Sequence, residues 1–398
     1  MDVVRARHIA RPDVDLYGDE VGDGPTVVLL HAGGERRQVW DPVVERLVED
    51  GSRCVAFDQR GHGDSGGSLR RLDECAGDVA AIVDAEPGCV LVGASLGGLA
   101  AVAALGDPRI RAKVTGLVLV DVVPNLDAGR VRSFLEAGGL SNVYPDFIDD
   151  ALAHIPRLRQ ITAQLDIPIL LIRAGRGSSL TDVEADGLLQ LAPHATVTRI
   201  PGAGHLVARD EPEALARRLA DLTPPWPALA LLRKLGAARV EHPGGDLLDH
   251  LERVRQLVAD LGGGTRVRLA ALTHATYGTD GFPHSLLPPD RRSRLRAAIG
   301  HDAEALVYRY GACDRAETYP HLGATPLPIT DRFTGEVVAV DGTDLADFAL
   351  LTIANELDVV RHAALTTETV DGIRTLITAC AAYVPDAAAR ALADRHLR

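Results

Sequence analysis

Cys89-Val90-Leu91-Val92-Gly93-Ala94-Ser95-Leu96-Gly97-Gly98-Leu99-Ala100-Ala101 is the stretch on which the fold turns. An apolar run of strand type passes through Gly93-Ala94-Ser95-Leu96-Gly97 into a run of helical type, so Ser95 sits where a buried strand turns sharply into a helix. That is the G-x-S-x-G nucleophile elbow in the context it requires. The serine of such a turn is held in a strained backbone conformation, and glycines two residues away on either side let strand and helix approach closely.

The surroundings extend the pattern. Thr26-Val27-Val28-Leu29-Leu30 reads as a strand that ends in His31-Ala32-Gly33-Gly34, a glycine-rich turn able to offer a backbone N–H to a developing oxyanion. Cys54-Val55-Ala56-Phe57 is a further short strand, closed by the polar turn Asp58-Gln59-Arg60-Gly61-His62-Gly63-Asp64-Ser65. Downstream, Thr196-Val197-Thr198-Arg199-Ile200 precedes the loop Gly202-Ala203-Gly204-His205. The motifs H-x-G-G, D-x-R-G-H-G-x-S, G-x-S-x-G and G-A-G-H follow one another in the order found in α/β-hydrolases, and residues 1 to about 222 resemble that family.

The resemblance implies a mostly parallel sheet with a short helical cap. It implies Ser95 as nucleophile, His205 as general base, and the N–H groups of Gly33 and Leu96 as the oxyanion hole. The acid that orients the base is the open position. The family's carboxylate usually follows the strand read at Pro168-Ile169-Leu170-Leu171-Ile172, but Ser178 stands where it would align. Asp121, at the end of Gly116-Leu117-Val118-Leu119-Val120, is favoured over Asp182, because Thr181-Asp182-Val183-Glu184 reads as a helix start with Thr181 capping it. The remaining alternative is that Asp121 only terminates its strand ahead of Pro124 and the acid is absent. His62 and Asp58 read as structural residues of their turn, and Cys54, Cys75 and Cys89 as buried thiols.

Residues from about 125 to 166 separate two core strands and carry two amphipathic helical patterns, Val131, Phe134 and Leu135 and then Phe147, Ile148, Leu152 and Ile155. This is the expected cap, with Phe134, Tyr144 and Phe147 giving a modest, mostly apolar pocket. A serine nucleophile excludes the epoxide hydrolases and dehalogenases of this fold, which use a carboxylate there.

A chain of 398 residues exceeds one typical core. Thr223-Pro224-Pro225-Trp226-Pro227 is the expected linker, since its prolines cannot continue a helix ending near Leu222. Residues 228–398 take on helical periodicity, with Leu247, Leu248, Leu251, Val254, Leu257, Val258 and Leu261 stopped by Gly262-Gly263-Gly264. There His250 and His274 are expected to face each other across two consecutive helices, an arrangement that resembles HD-domain metal centres. His242 through Thr279, with Gly311-Ala312-Cys313-Asp314-Arg315, resembles DUF6817, an uncharacterised HD-like family. The resemblance implies a divalent metal at His250 and His274, but the aspartate that should follow the second histidine is Ala275, and the reading favoured over a metal or small-ligand pocket is that both are hydrogen-bonded core or interface histidines. Glu356 or Asp358 would then have to supply oxygen, and Asn355 stands at the last HD carboxylate position. His242, His284, His301 and His321 lie near turns and need no special role.

A net charge of −13 disfavours a nucleic-acid partner. No apolar stretch approaches the ~20 residues of a membrane span, and an odd count of 5 cysteines without framework spacing fits a reducing compartment, so the expected location is cytoplasmic. The hydrolase half needs no cofactor. The expected activity is cleavage of a small-molecule ester or thioester through an acyl-enzyme at Ser95. The alternatives are a bifunctional protein with metal chemistry in the helical half, and a non-catalytic binding module.

Overall fold

The computed structural model describes residues 3–138, 144–178, 180–282 and 284–384. Ser179 of the expected acid loop, residues 139–143 of the cap region and residues 385–398 lie outside them. The chain divides into two compact units, Met1–Pro227 and Ala228–Arg398.

In the first unit, β1 (Arg5–Ala10), β2 (Asp15–Val21), β3 (Thr26–Leu30), β4 (Arg53–Phe57), β5 (Cys89–Ala94), β6 (Val114–Val120), β7 (Ile169–Ala174) and β8 (Thr196–Ile200) form one sheet in the order β1-β2-β4-β3-β5-β6-β7-β8. β1 and β2 pair antiparallel, as do β2 and β4, and every pairing from β4 through β3 to β8 is parallel. Helices bury both faces of this parallel part, which is why β5 and β7 are buried at every position rather than alternately. Two apolar clusters result, one on each face. Leu30, Leu91, Leu119 and Leu171 point into one, and Leu29, Val92, Val120 and Ile172 into the other.

β5 turns at Ser95 into the helix Leu96–Ala104. A Cβ added at Gly93 would stand 2.5 Å from Gly97 C and Gly98 N, and one at Gly97 would stand 2.6 Å from the Leu30 carbonyl oxygen. The spacing of glycines around the serine is therefore set by backbone contact.

Among the described residues the cap contains three helices, Ala128–Ala137, Pro145–Ala153 and Ile155–Ala163, where the periodicity predicted two. His154 in helical conformation and Pro156 just beyond it divide the second pattern: the helix restarts at Ile155, with proline early in the new turn where no N–H is needed. Phe147 packs into the core rather than lining a pocket.

The prolines expected to form a linker behave differently from that expectation. The helix Pro212–Leu222 does end at Leu222, but Pro225–Pro227 form the first turn of a new helix, Pro225–Leu235. Proline is tolerated at the start of a helix because its missing N–H would be unpaired there in any case.

The second unit is mainly helical around its own core, with Leu251, Val254, Leu269, Leu306, Phe348 and Ile353 at the centre. Its main helices include Leu247–Asp260, Thr265–Thr273, His301–Ala312 and Gly342–His362. Two short hairpins interrupt it, Glu241–His242 with Gly245–Asp246 and Leu327–Thr330 with Val337–Val340. All five cysteines are free and buried, and burial pushes the thiols of Cys54, Cys75, Cys89 and Cys380 up to about 12.

Candidate active site

Three parallel strands deliver the groups that meet at the edge of the sheet. Ser95 follows β5 with φ +46°, an unfavourable value for an L-residue, and its N–H is tied to the Val120 carbonyl at 3.2 Å. Asp121 follows β6 with φ +50°, its N–H donating to the Ile172 carbonyl at 2.8 Å. His205 comes from the loop after β8.

That loop is anchored on two sides. The N–H groups of Gly175 and Arg176 donate to the Ala203 carbonyl at 3.0 and 3.1 Å. The Gly204 N–H donates to Asp210 Oδ2 at 2.9 Å.

The result is one chain of hydrogen bonds. Ser95 Oγ lies 3.1 Å from His205 Nε2, and His205 Nδ1 lies 2.9 Å from Asp121 Oδ2. A carboxylate only accepts, so Nδ1 carries the proton and Nε2 presents its lone pair to the serine hydroxyl. The Asp121 side chain is fully shielded from solvent. Its other oxygen accepts the Ala174 N–H at 2.8 Å, and Ser178 donates its hydroxyl to Oδ2 at 2.6 Å while accepting the Leu180 N–H at 2.9 Å. Ser178, at the position where the family's carboxylate was expected, thus supports the carboxylate that comes from the neighbouring strand.

Asp182 lies elsewhere. Its side chain is 78% exposed and pairs with Arg173 and Arg199, and it opens a helix whose capping box joins Thr181 and Glu184.

Gly33 and Leu96 meet across the turn, a Cβ added at Gly33 standing 4.0 Å from that of Leu96. Among the described residues neither N–H has a hydrogen-bond partner. Their neighbours are engaged. The Gly34 N–H donates to His62 Nε2 at 3.0 Å, and the Ala32 N–H to Glu35 Oε2 at 3.3 Å. Burial raises the Glu35 carboxyl from its ordinary value, and among the described residues its Oε1 is buried without a partner. Burial lowers His31 to about 4 and also lowers His62, keeping both rings neutral. The roles of Ser178 and His62 rest on contacts between distant segments.

The cap helix Ala128–Ala137 places Phe134 edge-on to the His205 ring at 5.0 Å, while Tyr144 lies 5.6 Å from the His62 ring. A cavity of about 280 Å³ is lined by Gly61, Gly67, Ser68, Leu69, Arg70, Tyr144, Pro145 and Asp146, and Ser95, His205 and Asp121 are not among its walls.

In the second unit His250 and His274 do face one another, with Nε2 atoms 3.4 Å apart and both rings buried. The residues around them do not fit a metal centre. Asp358 lies on the far side of the His250 ring, accepting from Nδ1 at 2.7 Å and from Arg253 Nε at 2.7 Å, so it cannot reach a cation held at Nε2. Against the penalty of burial, those hydrogen bonds hold its carboxyl well below the ordinary range. Glu356 is 3.4 Å from Arg315 and accepts from Asn355 at 3.1 Å. Among the described residues no group of three His, Cys, Asp or Glu could hold a metal ion. His242, read as a turn residue, stacks on His250 at 3.9 Å, and burial beside that ring lowers it to about 4. Burial likewise lowers His274 to about 3. No helix among the described residues is long and apolar enough to cross a membrane.

Residues 27–218 match the model of the alpha/beta hydrolase family, and residues 231–315 that of a domain of unknown function, DUF6817. A protein named RutD from Variovorax paradoxus is 34% identical over 176 residues, 36% of this chain and 65% of that protein. A pimeloyl-[acyl-carrier protein] methyl ester esterase of Xanthomonas campestris is 38% identical over 29% of this chain and 43% of its own length. The chain thus spans less than two thirds of either relative. Esterase Rv0045c of Mycobacterium tuberculosis is 27% identical over 49% of this chain and 81% of its own. Among solved structures, an esterase from Exiguobacterium antarcticum aligns with a TM-score of 0.47 at 18% identity, covering 55% of this chain and 98% of that one.

Proposed function

We propose that this chain, an alpha/beta hydrolase domain followed by a DUF6817 domain, is a serine hydrolase that cleaves a small-molecule carboxylic ester or thioester. The observation that carries the reading is the unbroken hydrogen-bond chain from Ser95 Oγ through His205 to Asp121. Similarity to relatives named as methyl ester esterases favours an ester as the substrate class.

Ser95 Oγ attacks the acyl carbon as His205 Nε2 takes its proton, and the carbonyl oxygen, now negative, is bound by the Gly33 and Leu96 N–H groups. The intermediate collapses, the bond to the alcohol or thiol breaks, and His205 returns the proton to the leaving group. His205 then removes a proton from water, which attacks the acyl-enzyme and releases the carboxylic acid and free Ser95. Asp121 holds the Nδ1 proton throughout. No metal or cofactor takes part in these steps.

A fluorophosphonate probe tests the reading directly. The wild type is expected to label at one site, Ser95→Ala to remove both the label and the turnover of an acyl-ester and thioester panel, and absence of labelling in the wild type overturns the proposal.

A further inference from the structure

The two donors of the proposed oxyanion hole are built differently. Leu96 is the first residue of a helix on a strained elbow, and its N–H direction follows from that elbow. Gly33 lies in Gly33-Gly34, where glycine imposes little conformational preference of its own. Gly34 has φ +80° and open space around it, so packing does not set its direction either. Something outside the Gly-Gly pair has to fix it.

Hydrogen bonds on both flanks do so. Before Gly33, the Ala32 carbonyl accepts from His31 Nδ1 at 2.8 Å and from the Glu35 N–H at 3.2 Å, and the Ala32 N–H goes to Glu35. After Gly33, the Gly34 N–H donates to His62 Nε2 at 3.0 Å.

His62 can accept because its own tautomer is fixed. Its Nδ1 donates to the Arg60 carbonyl at 3.0 Å, and Arg60 is locked in a buried pair with Asp78, at 2.5 Å from Nε to Oδ2. The ring is buried and lies 5.0 Å edge-on from His31. The charged or titratable groups facing it are His31, Asp58 and, from the cap, Tyr144, and burial keeps the ring neutral, with its lone pair free for Gly34.

We infer that His62 is a positioning residue for the oxyanion hole: by taking the Gly34 N–H it fixes the peptide plane that follows Gly33, while the bonds to the Ala32 carbonyl fix the plane that carries the Gly33 N–H, so that Gly33 is pinned on both sides with its N–H toward the reacting carbonyl. It touches neither substrate nor nucleophile. The inference rests on the hydrolase reading above.

The test compares wild type, His62→Phe and His62→Gln on the best ester of the panel and on its thiono analogue, in which sulfur replaces the carbonyl oxygen. Phenylalanine keeps a ring but has no lone pair, and glutamine returns an acceptor at similar reach. Oxyanion donors misplaced by a fraction of an ångström to an ångström lose a large part of their effect on the transition state and little of substrate binding. His62→Phe is expected to lower kcat on the ester about 10- to 100-fold with KM within about threefold, in line with the loss of part of one oxyanion donor. The ester-to-thionoester rate ratio should fall with it, because the thionoester depends less on the hole. His62→Gln should recover most of both. Fluorophosphonate labelling of Ser95 should persist in each variant, at a reduced rate in His62→Phe.

Wild-type kcat in His62→Phe, a loss confined to KM, or a loss of kcat with an unchanged ester-to-thionoester ratio overturns the inference while leaving the hydrolase reading in place. A wild type that does not label overturns the hydrolase reading itself.

Discussion

Asp121→Asn, set beside Asp182→Asn, decides which carboxylate serves His205. Asn tolerates a positive φ nearly as well as Asp, so the turn at +50° survives the change. The consequence lies in the donors. Ala174 N–H requires an acceptor at Oδ1, 2.8 Å away, and this fixes the Asn amide with its oxygen toward Ala174 and its NH₂ toward His205 and Ser178. His205 Nδ1 would then have to accept, which moves the ring proton to Nε2, where it faces Ser95 Oγ and blocks general-base catalysis. The same inversion of tautomer costs about four orders of magnitude in the best-studied triad, or about 5.4 kcal/mol of transition-state stabilisation. Steady-state kinetics on the best ester should show kcat down about 10⁴-fold in Asp121→Asn with the melting temperature little changed, since the hydrogen bonds remain countable. Asp182→Asn, on an exposed side chain paired with Arg173 and Arg199, should stay within about twofold. A drop of less than tenfold in Asp121→Asn, or an equal drop in both variants, refutes the assignment.

Ser178→Ala removes one donor from the Asp121 carboxylate and should lower kcat about tenfold without changing KM, a value set by the worth of one charge-assisted hydrogen bond; an unchanged kcat would make Ser178 a spectator. Glu35 gives a pH-dependent stability. Burial raises its carboxyl, with His205 and Arg209 opposing that shift and Asp210 adding to it, so the folded state holds the proton more tightly than the unfolded chain. Its contribution is fully present below the unfolded value and is lost as pH rises through the raised one. Glu35→Gln should therefore melt higher than wild type at pH 7 to 8, with the gap closing near pH 4; a gap constant across that range would contradict the assignment.

What the sequence made legible follows the range of the interactions involved. The elbow at Ser95, the strands around it and the loop of His205 were readable because apolar runs and glycine spacing are local signals. The helical period of residues 247–261 was readable for the same reason, and the structure places a helix at Leu247–Asp260. His250 and His274 facing one another followed from two consecutive helical patterns and the HD-like resemblance. The side of the ring that Asp358 approaches did not, since it depends on how a helix about a hundred residues later packs. His242 reads as a turn residue without a role because a two-residue strand leaves no periodic signal, yet its ring lies against His250. Trp226 and its flanking prolines misled because the same residues that break one helix can open the next.

At Asp121, the proposed acid, the sheet register lets one strand's carboxylate replace another's. In the parallel register Val120 pairs with Ile172, so the residue after β6 ends beside the residues that follow Ile172 in β7. The positive φ of Asp121 turns its side chain across that boundary, and Oδ1 takes the Ala174 N–H at the end of β7. From there Oδ2 reaches His205 as a carboxylate from the β7 loop would. The loop keeps a share of the work through Ser178, whose hydroxyl supplies a third donor to the buried carboxylate and whose oxygen anchors Leu180. An aspartate placed at 178 beside Asp121 would set two carboxylates against one histidine, and the like-charge cost would raise one of them toward its neutral form. Serine at 178 and aspartate at 121 are therefore one choice rather than two, and Ser178→Asp should bring activity back to Asp121→Asn to a greater extent than it supports activity in the wild-type background.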